Sequence, residues 1–170
     1  PPNSFNMDVE EAILQQLNLA FQDHISKDFG IVIGVAEVVE IGEGIIIPGD
    51  GAAYYDTIFK VYAFKPELQE IVLGTVNEIA DFGAFINIGP VDGMVHIGQT
   101  MDDFVSFSKS GVLTGKESKK TLKIGDDCRS RIIAISHNEV KNVKVGLTKR
   151  QYLLGNLTWM KEAIKKSREK

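Results

Sequence analysis

The sequence predicts an α+β protein: a helix-and-sheet module over residues 1–68, then a closed five-stranded barrel with a short C-terminal helix over residues 69–170. Three observations carry that expectation. A single helical periodicity is followed by long strand-like runs that stop at Lys65-Pro66. Five short strands then recur at regular intervals, the pattern of a small barrel. Charge also changes sign along the chain: residues 1–103 hold 3 Lys/Arg against 17 Asp/Glu, and residues 104–170 hold 16 against 6. That asymmetry points to nucleic acid at the basic end.

Taken in order, Val9, Ile13, Leu17, Ala20 and Phe21 recur at helical spacing, predicting an amphipathic helix over about 8–22 with Asn6 or Asp8 as its N-cap. Residues 31–41, "IVIGVAEVVEI", are apolar on both alternating sets over most of their length, as in an interior strand covered on both faces. "GEGIIIPGDGA" breaks the pattern and predicts a turn, a short strand and an exposed tight loop. From Ala53 to Ala63 alternation returns as another strand. The barrel strands are expected at about 71–79, 82–88, 92–97, 127–136 and 143–149. The stretch between the third and fourth is too long for a hairpin and is expected to be partly helical. Leu153, Leu157, Met160 and Ile164 outline the terminal helix, with Lys161, Lys165, Lys166 and Arg168 on its wet side.

Composition and motifs exclude several classes. With 44% apolar and 25% charged residues, the 170-residue chain is a folded domain protein and not a disordered tail. No apolar run approaches the roughly 18 residues that span a bilayer, and the start has no signal-peptide pattern, so a soluble, cytoplasmic protein with no membrane partner is expected. The chain opens on Pro1-Pro2 without an initiator methionine, which suggests a front cut short. The lone Cys128 cannot form an internal disulfide, in keeping with a reducing compartment. "GVLTGKES" has three residues between its glycines where a phosphate loop has four, and Glu117 follows Lys116 where a magnesium-binding Ser or Thr belongs. "GEG" is followed by a strand, not the helix of a dinucleotide turn. His24, His96 and His137 are scattered without metal-ligand spacing. Asp102-Asp103 and Asp126-Asp127 are adjacent pairs whose side chains diverge. No catalytic residue, metal, cofactor or small-molecule substrate is expected.

"DFGAFINIGPVDGMVHIG", residues 81–98, poses the sharpest local question: Phe82 and Phe85 stand three apart, so a regular strand would set them on opposite faces. A bulge at Gly83 would bring both rings to one side. From about Val72 to Arg150 the chain resembles an S-one RNA-binding domain, a five-stranded oligonucleotide-binding (OB-fold) barrel, on "GTVNEIADFGAFINIG", "GMVHIGQ", "KIGDDCRSRIIAIS" and "VGLTKR". By that resemblance Phe82, Phe85 and His96 occupy the nucleic-acid face, the rings stacking on bases and the imidazole near a phosphate or base. Such stacking is worth about 1–3 kcal/mol per base and tolerates any sequence. The family often carries an Asp ending the fourth strand and an Arg beginning the fifth, where Ser136 and Lys144 stand here. Lys144 keeps the charge without the guanidinium fork, so little sequence discrimination is expected. Arg129 and Arg131 share a face opposite Cys128, Ser130 and Ile132 and are expected to extend the basic track.

Through "KDFGIVIGVAEVVEIGEGIIIPGDGAAYYDTIFKVYAFKPELQEIVLGTV" and "LTKRQYLLGNLTW" nearly the whole chain resembles the archaeal RNA polymerase stalk subunit called E-prime, counterpart of the seventh subunit of eukaryotic polymerase II. The resemblance implies a non-catalytic polymerase subunit whose N-terminal tip module, of truncated ribonucleoprotein-like fold, docks on the polymerase core. It implies a heterodimer with a second stalk polypeptide, called F, and nascent single-stranded RNA on the barrel. Gly49, Asp50 and Gly51 would be core-docking residues. The competing reading is a stand-alone RNA-binding module of a ribosome-associated or RNA-decay assembly. Decay subunits often add a Gly-x-x-Gly clamp, and no two glycines here are three apart.

Overall fold

A computed structural model describes residues 1–22, 24–26, 28–108, 110–137 and 143–168, and the chain forms two compact units, Pro1–Lys65 and Pro66–Lys170. In the first unit α1 (Val9–Phe21) starts at Asp8, whose carboxylate accepts from the Glu10 N–H. Its sheet has the order β1-β2-β3, from β1 (Ile25–Ser26), β2 (Gly30–Ile46) and β3 (Ala53–Phe64), all antiparallel. Phe21 of the helix meets Phe59 of β3 with ring centroids 5.1 Å apart. The Asn18 carboxamide oxygen accepts from the Val35 N–H at 3.2 Å, tying the helix to β2.

Two expectations fail in this unit. The stretch around Gly42 and Gly44 is not a turn, because β2 runs through it to Ile46, slipping register against β3 at four places. Each slip is a bulge that absorbs a residue without ending the strand. Nor is β2 covered on both faces: only Gly30–Val32 are buried, while Ile33, Val39, Ile45 and Ile46 are exposed, as are Ile58 and Tyr62 of β3. No residue of α1 is buried. A groove of about 550 Å³ runs between α1 and β3. The apolar alternation is real, but this unit supplies only part of the cover it asks for.

The second unit contains the expected barrel. It comprises β4 (Ile71–Ala80), β5 (Gly83–Asn87) and β6 (Asp92–His96), then, beyond an inserted sheet, β10 (Asp127–His137) and β11 (Val143–Thr148). Hydrogen bonding runs β11-β6-β5-β4-β10, and the β10–β11 pairing closes the ring, with β11 parallel to β6 and the other pairs antiparallel. The inward alternation is filled by Val76, Ala84, Ile86, Val95, Cys128, Ile132, Val145 and Leu147, all buried. Branched and small side chains fit the narrow interior of a five-stranded barrel.

Among the described residues between β6 and β10 no α-helix forms. The segment makes β7 (Val105–Ser108), β8 (Val112–Gly115) and β9 (Thr121–Leu122), a three-stranded antiparallel sheet turned at Gly111, whose φ is +72°. After β11 the short β12 (Gly155–Asn156) pairs with β10, and α2 (Leu157–Arg168) follows. The Asn156 side chain accepts from the Thr158 N–H at 2.9 Å and fixes the helix start, so Leu153 lies before the helix and not in it. Met160 is buried, Lys161 and Lys165 are exposed, and the side chains of Lys166 and Arg168 lie outside the described residues.

Candidate nucleic-acid interface

Phe82 lies in the turn between β4 and β5, one residue before the strand begins, and that placement resolves the three-residue spacing. The bulge expected at Gly83 is absent: β5 pairs regularly, and the slip falls on β4 between Val76 and Glu78. Gly83 serves a different purpose. A Cβ there would stand 2.1 Å from the Val95 carbonyl oxygen, so only glycine lets the start of β5 lie against β6. Across from it in the register sits His96. The Phe82 and Phe85 rings come together edge to face, centroids 6.1 Å apart at 85°. Phe82 is 47% exposed and Phe85 half-buried. The Ile97 N–H donates to the Phe82 carbonyl at 2.8 Å, tying the turn to the end of β6.

His96 is exposed, and its Nδ1 accepts from the Gly98 N–H at 3.2 Å. An accepting Nδ1 places the proton of the neutral ring on Nε2, leaving one N–H for an acceptor such as a phosphate oxygen or a base edge. Two aromatic planes and one oriented imidazole therefore share the Gly83 corner of the barrel, a layout suited to stacking on unpaired bases.

The cationic candidates are not all drawn into this corner. Arg129 and Arg131 are half-buried on β10, opposite Leu73 and Ile71 of β4, while Phe85 faces Glu78 much farther along β4. A polar row intervenes, in which the Thr75 hydroxyl donates to Asp127 at 2.8 Å and Asn87 donates to Asp92 at 3.0 Å. Nε of Arg131 is buried without a hydrogen-bond partner among the described residues. Lys144 is exposed on β11 opposite Ser136, one residue from Val145, which pairs with Gly93 of β6. The two arginines thus lie apart from the ring corner, and Lys144 stands four residues along β11 from Thr148, the position opposite Arg131.

In the first unit, Gly49, Asp50 and Gly51 form an exposed tight loop; Gly49 has a φ of +91° and the Asp50 N–H donates to the Ile47 carbonyl at 3.0 Å. The Asp50 carboxylate accepts from the Tyr54 hydroxyl and, at 3.2 Å, from the Ala52 N–H. Those bonds, the tyrosine's foremost, hold the Asp50 carboxyl below its ordinary range and push the Tyr54 phenol up.

The adjacent acidic pairs do diverge, each to a structural task. Asp102 pairs with Arg150 at 2.8 Å, Asp103 caps the turn after β8, Asp126 accepts from the Lys123 N–H, and Asp127 meets Thr75. Among the described residues no cluster of His, Cys, Asp and Glu could hold a metal ion, and no helix is long and apolar enough to cross a membrane. Two features escaped the sequence reading: the exposed Phe107 of the inserted sheet with Phe104 just before it, and a buried lysine, Lys149, beside Trp159.

A closed five-stranded barrel with aromatic rings at its β4–β5 corner is the layout of the S1 class, and the family described as "S1 RNA binding domain" matches residues 65–143. Residues 1–51 match the "SHS2 domain found in N terminus of Rpb7p/Rpc25p/MJ0397". The chain is 36% identical over 168 residues to the DNA-directed RNA polymerase subunit Rpo7 of Sulfolobus acidocaldarius, covering 98% of this chain and 92% of that protein. It is also 33% identical over 101 residues to the DNA-directed RNA polymerase III subunit RPC8 of Saccharomyces cerevisiae, covering 59% of this chain and 48% of that protein. The chain belongs to the Rpo7 family of RNA polymerase subunits.

Proposed function

We propose that this chain is a non-catalytic stalk subunit of a cytoplasmic archaeal RNA polymerase. It docks on the core through its N-terminal unit, pairs with the second stalk polypeptide, F, and holds the emerging transcript on its barrel. The observation that carries the RNA reading is the sharing of one barrel corner by Phe82, Phe85 and His96. Exposed aromatic planes stack on bases without reading sequence, and Lys144, Arg129 and Arg131 add phosphate attraction that weakens with salt. The chain's contribution is tethering: bases are gripped transiently, and the grip is transmitted to the enzyme through the docked unit.

Partner binding is supported by the first unit. Ile46 is 75% exposed and Ile58 60% exposed, and α1 buries none of its residues, so this unit leaves apolar area for other chains to cover. Gly49, Asp50 and Gly51 would lead the contact with the core, with Asp50 kept charged and oriented by Tyr54. A ribonuclease R from Buchnera aphidicola matches only 45% of this chain, so it lends no weight to an RNA-decay assembly. Affinity purification from native lysate tests the reading. Stoichiometric recovery of the F polypeptide and polymerase core subunits is expected, and recovery of ribosomal proteins or nucleases in their place would overturn it.

A further inference from the structure

Lys149 continues the inward alternation of β11 beyond Val143, Val145 and Leu147, and it is only 2% exposed. Its ammonium donates to the Cys128 thiol at 3.2 Å and lies 5.5 Å from the Trp159 ring centroid; among the described residues it is in no ion pair. Asp126 is near enough to favour its charge but makes no ion pair with it. Burial pushes the amine's pKa down and the Cys128 thiol's up. On the same indole, also 5.5 Å from the centroid, sits Lys120. Both lysines, Arg150 and Trp159 line a groove of about 340 Å³. Two ammonium groups gathered on one ring, one of them buried and in no ion pair among the described residues, are a costly arrangement that a bound anion would relieve.

We propose that this groove is a phosphate-binding site, with Lys149 at its floor, Lys120 at its mouth and Arg150 at its side. A phosphate offers several acceptor oxygens to several donors at once, which a single carboxylate does less well. The position suits the backbone of a bound RNA strand. Asp102 and Arg150, paired at 2.8 Å, line both this groove and a neighbouring one that reaches Ile97 and Gly98, beside His96, and that also carries Asp103 and Glu117. Phosphates of a strand stacked on Phe82 and Phe85 would pass His96 and arrive here, an assignment of ligand that rests on the RNA reading above.

Trp159 is the chain's only tryptophan, so its emission reports on this groove alone. The intact protein is titrated with inorganic phosphate, against sodium chloride at matched ionic strength, and separately with a short single-stranded RNA. The expected result is a saturable emission change with both, lost in Lys149→Met and weakened several-fold in the exposed-site variant Lys120→Ala. In RNA binding, Lys149→Met should also lower the slope of log K against log salt by about 0.7, one phosphate contact. The Phe82→Ala/Phe85→Ala variant should weaken RNA binding yet keep the response to inorganic phosphate, which separates failure of the RNA reading from failure of this site. A response to inorganic phosphate but not RNA supports the site and assigns it to the free anion. Absence of any saturable response, or wild-type responses in a folded Lys149→Met and in Lys120→Ala, overturns it.

Discussion

Replacing Phe82 by Ala separates RNA binding from folding more cleanly than any other change at the barrel corner. Phe82 lies in a turn, outside the β5 ladder, and is 47% exposed, so truncation leaves the barrel core untouched. What folding loses is chiefly the edge-to-face contact with Phe85, about 0.5–1.5 kcal/mol for such a pair. RNA binding is expected to lose a stacking plane, about 1–3 kcal/mol, or roughly 5- to 150-fold in affinity. Phe85→Ala should cost a similar amount in binding and more in stability, since that ring is half-buried in the sheet. Because the rings touch, the double variant should depart from the sum of the singles. Fluorescence anisotropy with a short single-stranded RNA at fixed salt measures the binding cycle, and urea denaturation measures the folding one. Wild-type RNA affinity in a folded Phe82→Ala/Phe85→Ala protein would refute the stacking argument.

Gly83→Ala pushes a methyl group against the Val95 carbonyl, which belongs to the backbone and cannot swing aside; a loss of at least about 1–3 kcal/mol by chemical denaturation is expected, and unchanged stability would count against the close approach described. Lys144→Ala should weaken binding equally for all RNA sequences and reduce the salt slope by about 0.7, so an unchanged slope would remove Lys144 from the phosphate track. Asp103 accepts from the Ser118 N–H at 2.8 Å, the Ser118 hydroxyl at 2.7 Å and the Glu117 N–H at 3.1 Å; these bonds, the Ser118 N–H first, hold its carboxyl below the ordinary 3.8. A carboxyl lowered by folding stabilises the fold above its unfolded value and loses that contribution as pH falls through the lower, folded one. The Ser118 amide resonance should therefore move in an acid titration below pH 3.8 and be displaced at neutral pH in Asp103→Asn, and an unmoved resonance in both would dismiss Asp103 as the pin of this turn.

The barrel was legible because period-two alternation and inward burial coincide there, as at Val76, Ala84, Ile86, Val145 and Leu147. The Gly83 corner was half legible. That the two rings come together followed from the spacing and the glycine, but the mechanism did not. A glycine needed for a bulge and one needed for close approach look alike in sequence, and the bulge belongs to the partner strand. The inserted sheet carried a signal that length concealed: "VSFS" and "VLTG" alternate on either side of a turn ending in Gly111. Lys149 stood in plain register with Val145 and Leu147, yet a lysine is read by default as solvated, so its burial went unseen. The distance between the arginines and the rings was not legible at all, because it depends on how β4 pairs with two different strands at its two ends.

The four register slips between β2 and β3 bear on the life of this subunit before assembly. A long, flat ribbon with an apolar outer edge is a template for intermolecular β-pairing and, eventually, fibrils. Each bulge coils the ribbon and offsets its free donors and acceptors from the even spacing another strand would need. A newly made copy can thus keep its exposed apolar residues while denying its neighbours a straight edge to nucleate on.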